Sequence, residues 1–209
     1  MIRILYVHGY LGHGGGSASQ KLRAALERRG IEFQLDAPEF PVTDRDAMKA
    51  LLGDCVQSRR YDYFVASSLG AFYVMQTFGP MRILVNPAMT KDLRRIRDEV
   101  PEENPALTEE FLAGLERDKE HFLRNCMDDE SLFLTYFIYG SRDEVADNAA
   151  ELGEHFHLDG YTFSVDMGHR MEDSGAEKVC DLIGMLERDK PEYRDPLEAA
   201  LLDMFGGDA

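Results

Sequence analysis

The sequence predicts an α/β protein, built on a mostly parallel sheet of about six strands with helices on both faces. Two observations carry that prediction. Short apolar runs alternate with helical stretches along the whole chain, which implies crossover connections between parallel strands. One of those runs, Tyr63-Phe64-Val65, is apolar at successive residues, as a strand covered on both faces must be.

The elements follow in order. Ile2–Val7 reads as the first strand. Ser17 and Gln20 form an S-x-x-Q capping box, Leu22 and Leu26 a buried stripe and Gly30 a stop, so a helix follows. Glu32–Leu35 is the second strand, and Asp44–Arg59 the second helix with Thr43 as its N-cap. Tyr63–Ala66 is the third strand, and Leu69–Phe78 a helix stopped by Gly79-Pro80. Arg82–Val85, Leu132–Tyr139 and Tyr161–Val165 complete the sheet.

The interval between Asn86-Pro87 and Leu132 exceeds what one crossover helix needs. Helical patterns near Lys91–Glu99 and Thr108–Asn125, with Pro101 and Pro105 between them, make the insertion 88–131 either a small lid or a pair of packing helices. The tail 191–209 carries an amphipathic stretch, Leu197 to Phe205, suited to docking on the body, to a homodimer contact or to fraying. The whole chain, 1–209, reads as a single domain.

Composition narrows the functional classes. The formal net charge of −16 opposes approach to nucleic acid or an anionic membrane surface, so neither is expected as a partner. Cys55, Cys126 and Cys180 are dispersed and form no C-x-x-C pair, which fits a reducing compartment. The apolar start Ile2–Val7 is too short for a signal-peptide core, and no apolar run approaches a membrane span. The expected location is cytoplasmic.

The chemistry is concentrated at strand ends. In Phe64-Val65-Ala66-Ser67-Ser68-Leu69-Gly70-Ala71 a serine sits where a buried strand meets a helix. Such a turn lifts its central side chain above the sheet and needs small residues two before and two after, here Ala66 and Gly70. Ser68 is therefore a candidate nucleophile, with an ordinary tight turn as the alternative. A serine hydroxyl needs a base, and the base an orienting carboxylate. Asp143 follows the strand Leu132–Tyr139, and His169 follows Tyr161–Val165. Ligands of open parallel sheets bind beyond these carboxyl ends, and the order Ser68, Asp143, His169 is that of the α/β-hydrolase triad. Glu144 and Asp147 are rival acids, whereas Asp166 and Asp173 flank the histidine too closely in sequence.

After the first strand, His8-Gly9-Tyr10-Leu11-Gly12 can turn backbone N–H groups toward the nucleophile. With the N–H of Leu69, that of Tyr10 is the expected oxyanion donor, and Leu11 is next. His8 is expected to brace this loop by hydrogen bonding. Neither G-x-x-x-x-G-K-[ST] nor G-x-G-x-x-G is present, which disfavours a nucleotide site.

The ordered set resembles the YqiA-type esterase family of small α/β hydrolases. The matching segments are Tyr6-Val7-His8-Gly9-Tyr10, Ser67-Ser68-Leu69-Gly70, Leu84-Val85-Asn86-Pro87 and Asp143-Glu144-Val145, and the likeness spans roughly residues 2 to 187. Ala66 replaces the usual first glycine of the elbow, and the insertion and acidic tail look longer than in a minimal member. The resemblance implies an α/β-hydrolase fold whose first strand bears the oxyanion loop. It also implies hydrolysis of small-molecule carboxylic esters or thioesters with no cofactor. Ligand binding without catalysis is the alternative on the same fold.

Three further signals have competing readings. His155 and His157, near Glu151 and Glu154, suit solvent-facing polar residues better than a metal site. Lys91, Arg94, Arg95 and Arg97 either pair with Asp92, Asp98 and Glu99 or hold an anionic group such as the phosphates of an acyl-coenzyme A. Phe111, Leu115 and Phe122 either line an acyl pocket or belong to the core.

Overall fold

The computed structural model describes residues 1–125, 134–149, 152 and 161–189. Six strands, β1 (Ile2–Val7), β2 (Phe33–Asp36), β3 (Tyr63–Ser67), β4 (Met81–Val85), β5 (Thr135–Gly140) and β6 (Thr162–Val165), form one sheet. Its order is β2-β1-β3-β4-β5-β6, and every neighbouring pair is parallel. The connection leaves β1 for β2 on one side and returns to β3 on the other. A crevice therefore opens between the carboxyl ends of β1 and β3.

Helices α1 (Ser17–Arg28), α2 (Arg45–Gln57), α3 (Leu69–Met75), α4 (Thr90–Glu99), α5 (Glu109–Asn125) and α6 (Asp173–Arg188) cover the sheet. Strand residues alternate between two cores, as a two-residue side-chain period requires. Leu5, Val7, Phe64, Ala66, Leu84 and Phe137 pack with α2 to α5. Ile4, Tyr6, Val65, Ile83, Val85 and Ile138 pack with α1 and α6. The sequence reading includes no helix at Asp173–Arg188, although Ala176, Val179, Cys180, Ile183 and Leu186 are buried there at helical spacing.

Several boundaries move for physical reasons. Ser17 is the first residue of α1, and its N-cap is Gly16, which has no side chain to offer. The expected capping box is not formed: Gln20 Nε2 donates to Gly15 O, and Ser19 Oγ donates to the carbonyls of Gly14 and Gly16. At α2 the cap is Asp44, whose carboxylate accepts from Ala47 N, and not Thr43. Helix α3 stops at Met75, three residues short of Phe78. Strand β5 begins at Thr135, with Leu134 before it and 132–133 outside the described residues. The tail 191–209, Cys126, and His155 and His157 with Glu151 and Glu154 also lie outside the described residues.

Within the insertion, Leu93, Leu107, Phe111, Leu112, Leu115 and Phe122 are buried in the first core, so Phe111, Leu115 and Phe122 are core residues. Helix α5 is tied to α2, where Arg45 clamps Asp118 through Nε and Nη2 at 3.0 and 2.9 Å. Among the described residues no helix is long and apolar enough to cross a membrane.

Packing is tight beneath the strand-to-helix turn. A Cβ on Gly70 would stand 2.3 Å from His8 O and 2.7 Å from Val7 O, backbone atoms at the carboxyl end of β1 and just beyond it. Gly70→Ala is expected to cost about 3 kcal/mol, an overpacking penalty. In a chain of this size that is a fall in melting midpoint of roughly 6 to 12 °C. An unchanged midpoint would mean that β1 yields without penalty.

Candidate active site

Ser68 joins β3 to α3 with φ +53° and ψ −126°, a conformation uncommon for a residue with a Cβ. The surrounding chain holds it there. Its N–H donates to Val85 O at 3.0 Å, and its carbonyl accepts from Ala71 N and Ala88 N at 3.0 and 3.2 Å. The strain projects the side chain away from the sheet, and the residue is half-buried.

The two partners come from the ends of β5 and β6. His169 Nε2 lies 2.9 Å from Ser68 Oγ, and His169 Nδ1 lies 3.0 Å from Asp143 Oδ2. The structure therefore brings together three side chains that lie up to 101 residues apart. The carboxylate accepts from Nδ1–H, which leaves Nε2 with a lone pair directed at the serine hydroxyl. The Asp143 side chain is only 3% exposed and that of His169 20%, so the pair is shielded while the imidazole keeps an open edge. Glu144 and Asp147, the rival acids, are both exposed.

Burial pushes the Asp143 carboxyl up. The hydrogen bond with His169, the N–H of Ala146, the facing imidazole charge and the N–H of Val145 outweigh it and hold the group below the ordinary aspartate value. A carboxyl depressed on folding stabilises the native state fully above its unfolded value, about 3.9, and that contribution disappears as pH falls through the lower folded value. The gap in melting midpoint between wild type and Asp143→Asn is therefore expected to be flat through the neutral range and to close below about pH 4. A gap that persists unchanged into strong acid would contradict the depressed carboxyl.

The loop after β1 lies directly against the serine: a Cβ on Gly9 would stand 2.6 Å from Ser68 Cβ and 3.0 Å from Ser67 O. Tyr10 and Leu11 are the central residues of a turn closed by Gly12 N to Gly9 O at 3.0 Å, and Leu11 has φ +56°. Leu69 is the first residue of α3, so its N–H has no acceptor within the helix. His8 is buried; Phe40 N donates to its Nε2 at 3.0 Å, and its Nδ1 lies 3.0 Å from Gly9 O. Both ring nitrogens are thus engaged by backbone, in keeping with a bracing role.

Asn86 is the residue that sequence reasoning misses. It is fully buried, with φ +46°, at the end of β4. Its Nδ2 donates to Gly168 O and His169 O, both at 2.9 Å, and its Oδ1 accepts from Gly140 N at 2.6 Å. The available signal was an asparagine between a strand and a proline, since asparagine tolerates positive φ better than other side chains.

The basic cluster is used within the molecule. Arg94 and Arg97 bind the Glu109 carboxylate at 2.7 and 2.8 Å, and Arg97 also pairs with Asp98. Lys91 Nζ donates to Asp147 O, and Arg95 Nη2 to Glu144 O and Val145 O, so α4 grips the loop that follows Asp143. Among the described residues no cluster of His, Cys, Asp or Glu is arranged to hold a metal ion. A cavity of about 450 Å³ lies farther down α3, lined by Leu52, Val56, Tyr73, Phe78 and Phe122 among others.

Six parallel strands in this order, with a strained serine at the switch point, make this the α/β-hydrolase fold. No family model and no curated protein matches the chain. Among solved structures it is similar to the ydeN gene product from B. subtilis, with TM-score 0.61 and 19% identity over 88% of this chain and 98% of that one. It is also similar to MGS-MChE2, an α/β hydrolase enzyme from the metagenome of lagoon sediments at Mar Chica, Morocco (TM-score 0.60, 16% identity, 91% and 92% covered). The thioesterase domain from the curacin biosynthetic pathway gives TM-score 0.56 at 15% identity, with 87% and 90% covered. At these identities the likeness is one of fold.

Proposed function

We propose that the protein is a serine hydrolase that cleaves carboxylic esters of small to medium acyl chains. The observation that carries this reading is the unbroken relay from Ser68 Oγ through His169 to Asp143, at 2.9 and 3.0 Å. A fold used only for binding has no need of a strained serine aligned on an imidazole and a buried carboxylate. The resemblance to YqiA-type esterases adds to this reading.

Ser68 attacks the acyl carbonyl while His169 Nε2 takes its proton. The N–H groups of Leu69 and Tyr10 receive the negative charge of the tetrahedral intermediate. His169 then protonates the leaving alkoxide, and an acyl-enzyme remains on Ser68. Water, activated by the same imidazole, releases the acid. Asp143 holds the imidazole in the tautomer both halves require and stabilises its protonated form. No cofactor enters this scheme.

A thioester is the second substrate reading, favoured by the fold likeness to the curacin thioesterase domain. Acyl-coenzyme A suits the surface less well, because the basic side chains of α4 already have internal partners. A lid formed by 88–131 would have to hinge outside α4, since Lys91 and Arg95 tie that helix to the loop bearing Asp143.

The test is hydrolysis of p-nitrophenyl esters from acetyl to palmitoyl, with matched thioesters and amides, alongside fluorophosphonate labelling mapped by mass spectrometry. Turnover with label on Ser68 is expected, and the chain-length optimum sizes the acyl pocket. Neither turnover nor label would remove the catalytic reading and leave the binding one.

A further inference from the structure

We infer that Asn86 is the positioning residue that keeps the three proposed catalytic side chains in mutual register, an inference that rests on the serine-hydrolase reading. The short segment Val85-Asn86-Pro87-Ala88 touches all three loops that bear them. On the serine side, Val85 O accepts from Ser68 N, and Ala88 N donates to Ser68 O. On the acid side, Asn86 Oδ1 accepts from Gly140 N, three residues before Asp143, and Pro87 O accepts from the buried Asn148 Nδ2 at 2.9 Å. On the histidine side, the Asn86 amide donates to the carbonyls of Gly168 and of His169 itself.

The Asn86 side chain bonds two of these loops at once, beside the Arg142 pairs with Asp166 and Glu172 that also tie the acid-bearing turn to the histidine-bearing one. Gly140 lies 54 residues away and His169 83 residues away, so no local pattern holds them together. The loops have little freedom to compensate. A Cβ on Gly140 would stand 2.4 Å from Met167 O, so the acid-bearing and histidine-bearing turns already touch backbone to backbone. The Asn86 main chain also donates to Ile138 O at 2.9 Å, which fixes the base from which the side chain reaches. An asparagine supplies what the place demands: one acceptor, two donors and tolerance of φ +46°.

The bonds act on geometry, since the partners of the Asn86 side chain are main-chain atoms and not the reacting ones. Loss of the two donors frees the His169 main chain, so the imidazole spends less time within reach of Ser68 Oγ. Misplacement of about 1 Å is enough to cost on the order of 100-fold in rate.

Two variants separate the possibilities. Asn86→Gly accepts the positive φ and removes all three side-chain bonds. Asn86→Asp has nearly the same shape and keeps an acceptor for Gly140 N–H, yet cannot donate to Gly168 O or His169 O. With wild type and Ser68→Ala as references, kcat on the best p-nitrophenyl ester is expected to fall about 10- to 100-fold in both variants. KM should change by less than about threefold, and fluorophosphonate labelling should slow in step with kcat. Melting midpoints recorded alongside separate this loss from unfolding.

Wild-type kcat in both variants, with Ser68→Ala inactive, would overturn the inference and leave the serine-hydrolase reading standing. A rise in KM alone, or full kcat in Asn86→Asp beside a loss in Asn86→Gly, would also overturn it, because the donors to the histidine loop would then be dispensable. Wild-type protein without Ser68-dependent turnover would overturn both.

Discussion

Ser68→Ala is expected to abolish ester turnover and fluorophosphonate labelling together, with kcat reduced on the order of 10⁵- to 10⁶-fold. The size of the effect follows from the relay. Removing Oγ leaves His169 with nothing to deprotonate but water, and no acyl-enzyme forms. The residual rate comes from the backbone N–H groups and from substrate binding, neither of which depends on the hydroxyl. For the same reason Ser68→Ala combined with His169→Ala should be no slower than Ser68→Ala alone, because the two residues act as one unit. The fold should survive, since alanine keeps the main-chain bonds to Val85, Ala71 and Ala88 and loses only an oxygen at a half-buried site. A stable Ser68→Ala protein with wild-type kcat would place the chemistry elsewhere.

The second large effect is expected from Asp143→Asn, about 10⁴-fold in kcat, and the bonds around Asp143 give the reason. Asp143 Oδ1 accepts from Val145 N and Ala146 N at 2.8 and 3.0 Å, while Oδ2 faces His169 Nδ1 at 3.0 Å. An asparagine keeps the two backbone donors by placing its oxygen toward Val145 and Ala146. Its NH2 group then faces Nδ1, which has to become an acceptor. The ring proton moves to Nε2, and Nε2 can no longer take the proton of Ser68. The variant is thus predicted to fold, with a modestly lower melting midpoint, and to fail in catalysis through the wrong tautomer. A loss of tenfold or less would mean that the carboxylate does not orient the histidine.

The contrast between Ser68 and Asn86 shows what is legible along a chain. The elbow can be read locally because one turn imposes several demands within five residues. Gly70 has to be glycine against His8 O and Val7 O, and the helix after Ser68 is apolar throughout. Asp143 and His169 were legible by position, as polar residues of the right kind at successive strand ends. Asn86 has no such mark. Its partners become neighbours only once β4 lies beside β5 and the turn after β6 folds over them, so Leu84-Val85-Asn86-Pro87 reads as a motif without a task.

The capping errors have a related cause. Ser17 and Gln20 have the spacing of a box, but the glycine loop before them is packed by distant chain. A Cβ on Gly14 would stand 2.3 Å from Ala37 O, and Gly14 N donates to Glu39 Oε2 at 3.1 Å. With that loop held from outside, α1 begins at the residue the loop delivers, and the serine falls one place inside. The basic cluster is a third case: Arg94 and Arg97 meet Glu109 because α4 and α5 pack together, which charge counting on α4 alone does not reveal.

By itself, then, the sequence determined the parallel α/β architecture and, to within about a residue, the places where strands end, and it singled out the serine, acid and histidine that the structure brings within hydrogen-bonding distance. Each of these is written in the burial period of a short segment or in the steric needs of one turn. Only the tertiary structure decided which atoms of those residues meet, which tautomer the imidazole adopts, where α4 spends its charges and what Asn86 binds. Hydrogen bonds between loops 54 to 101 residues apart depend on the order and register of the whole sheet, and no local window contains that information.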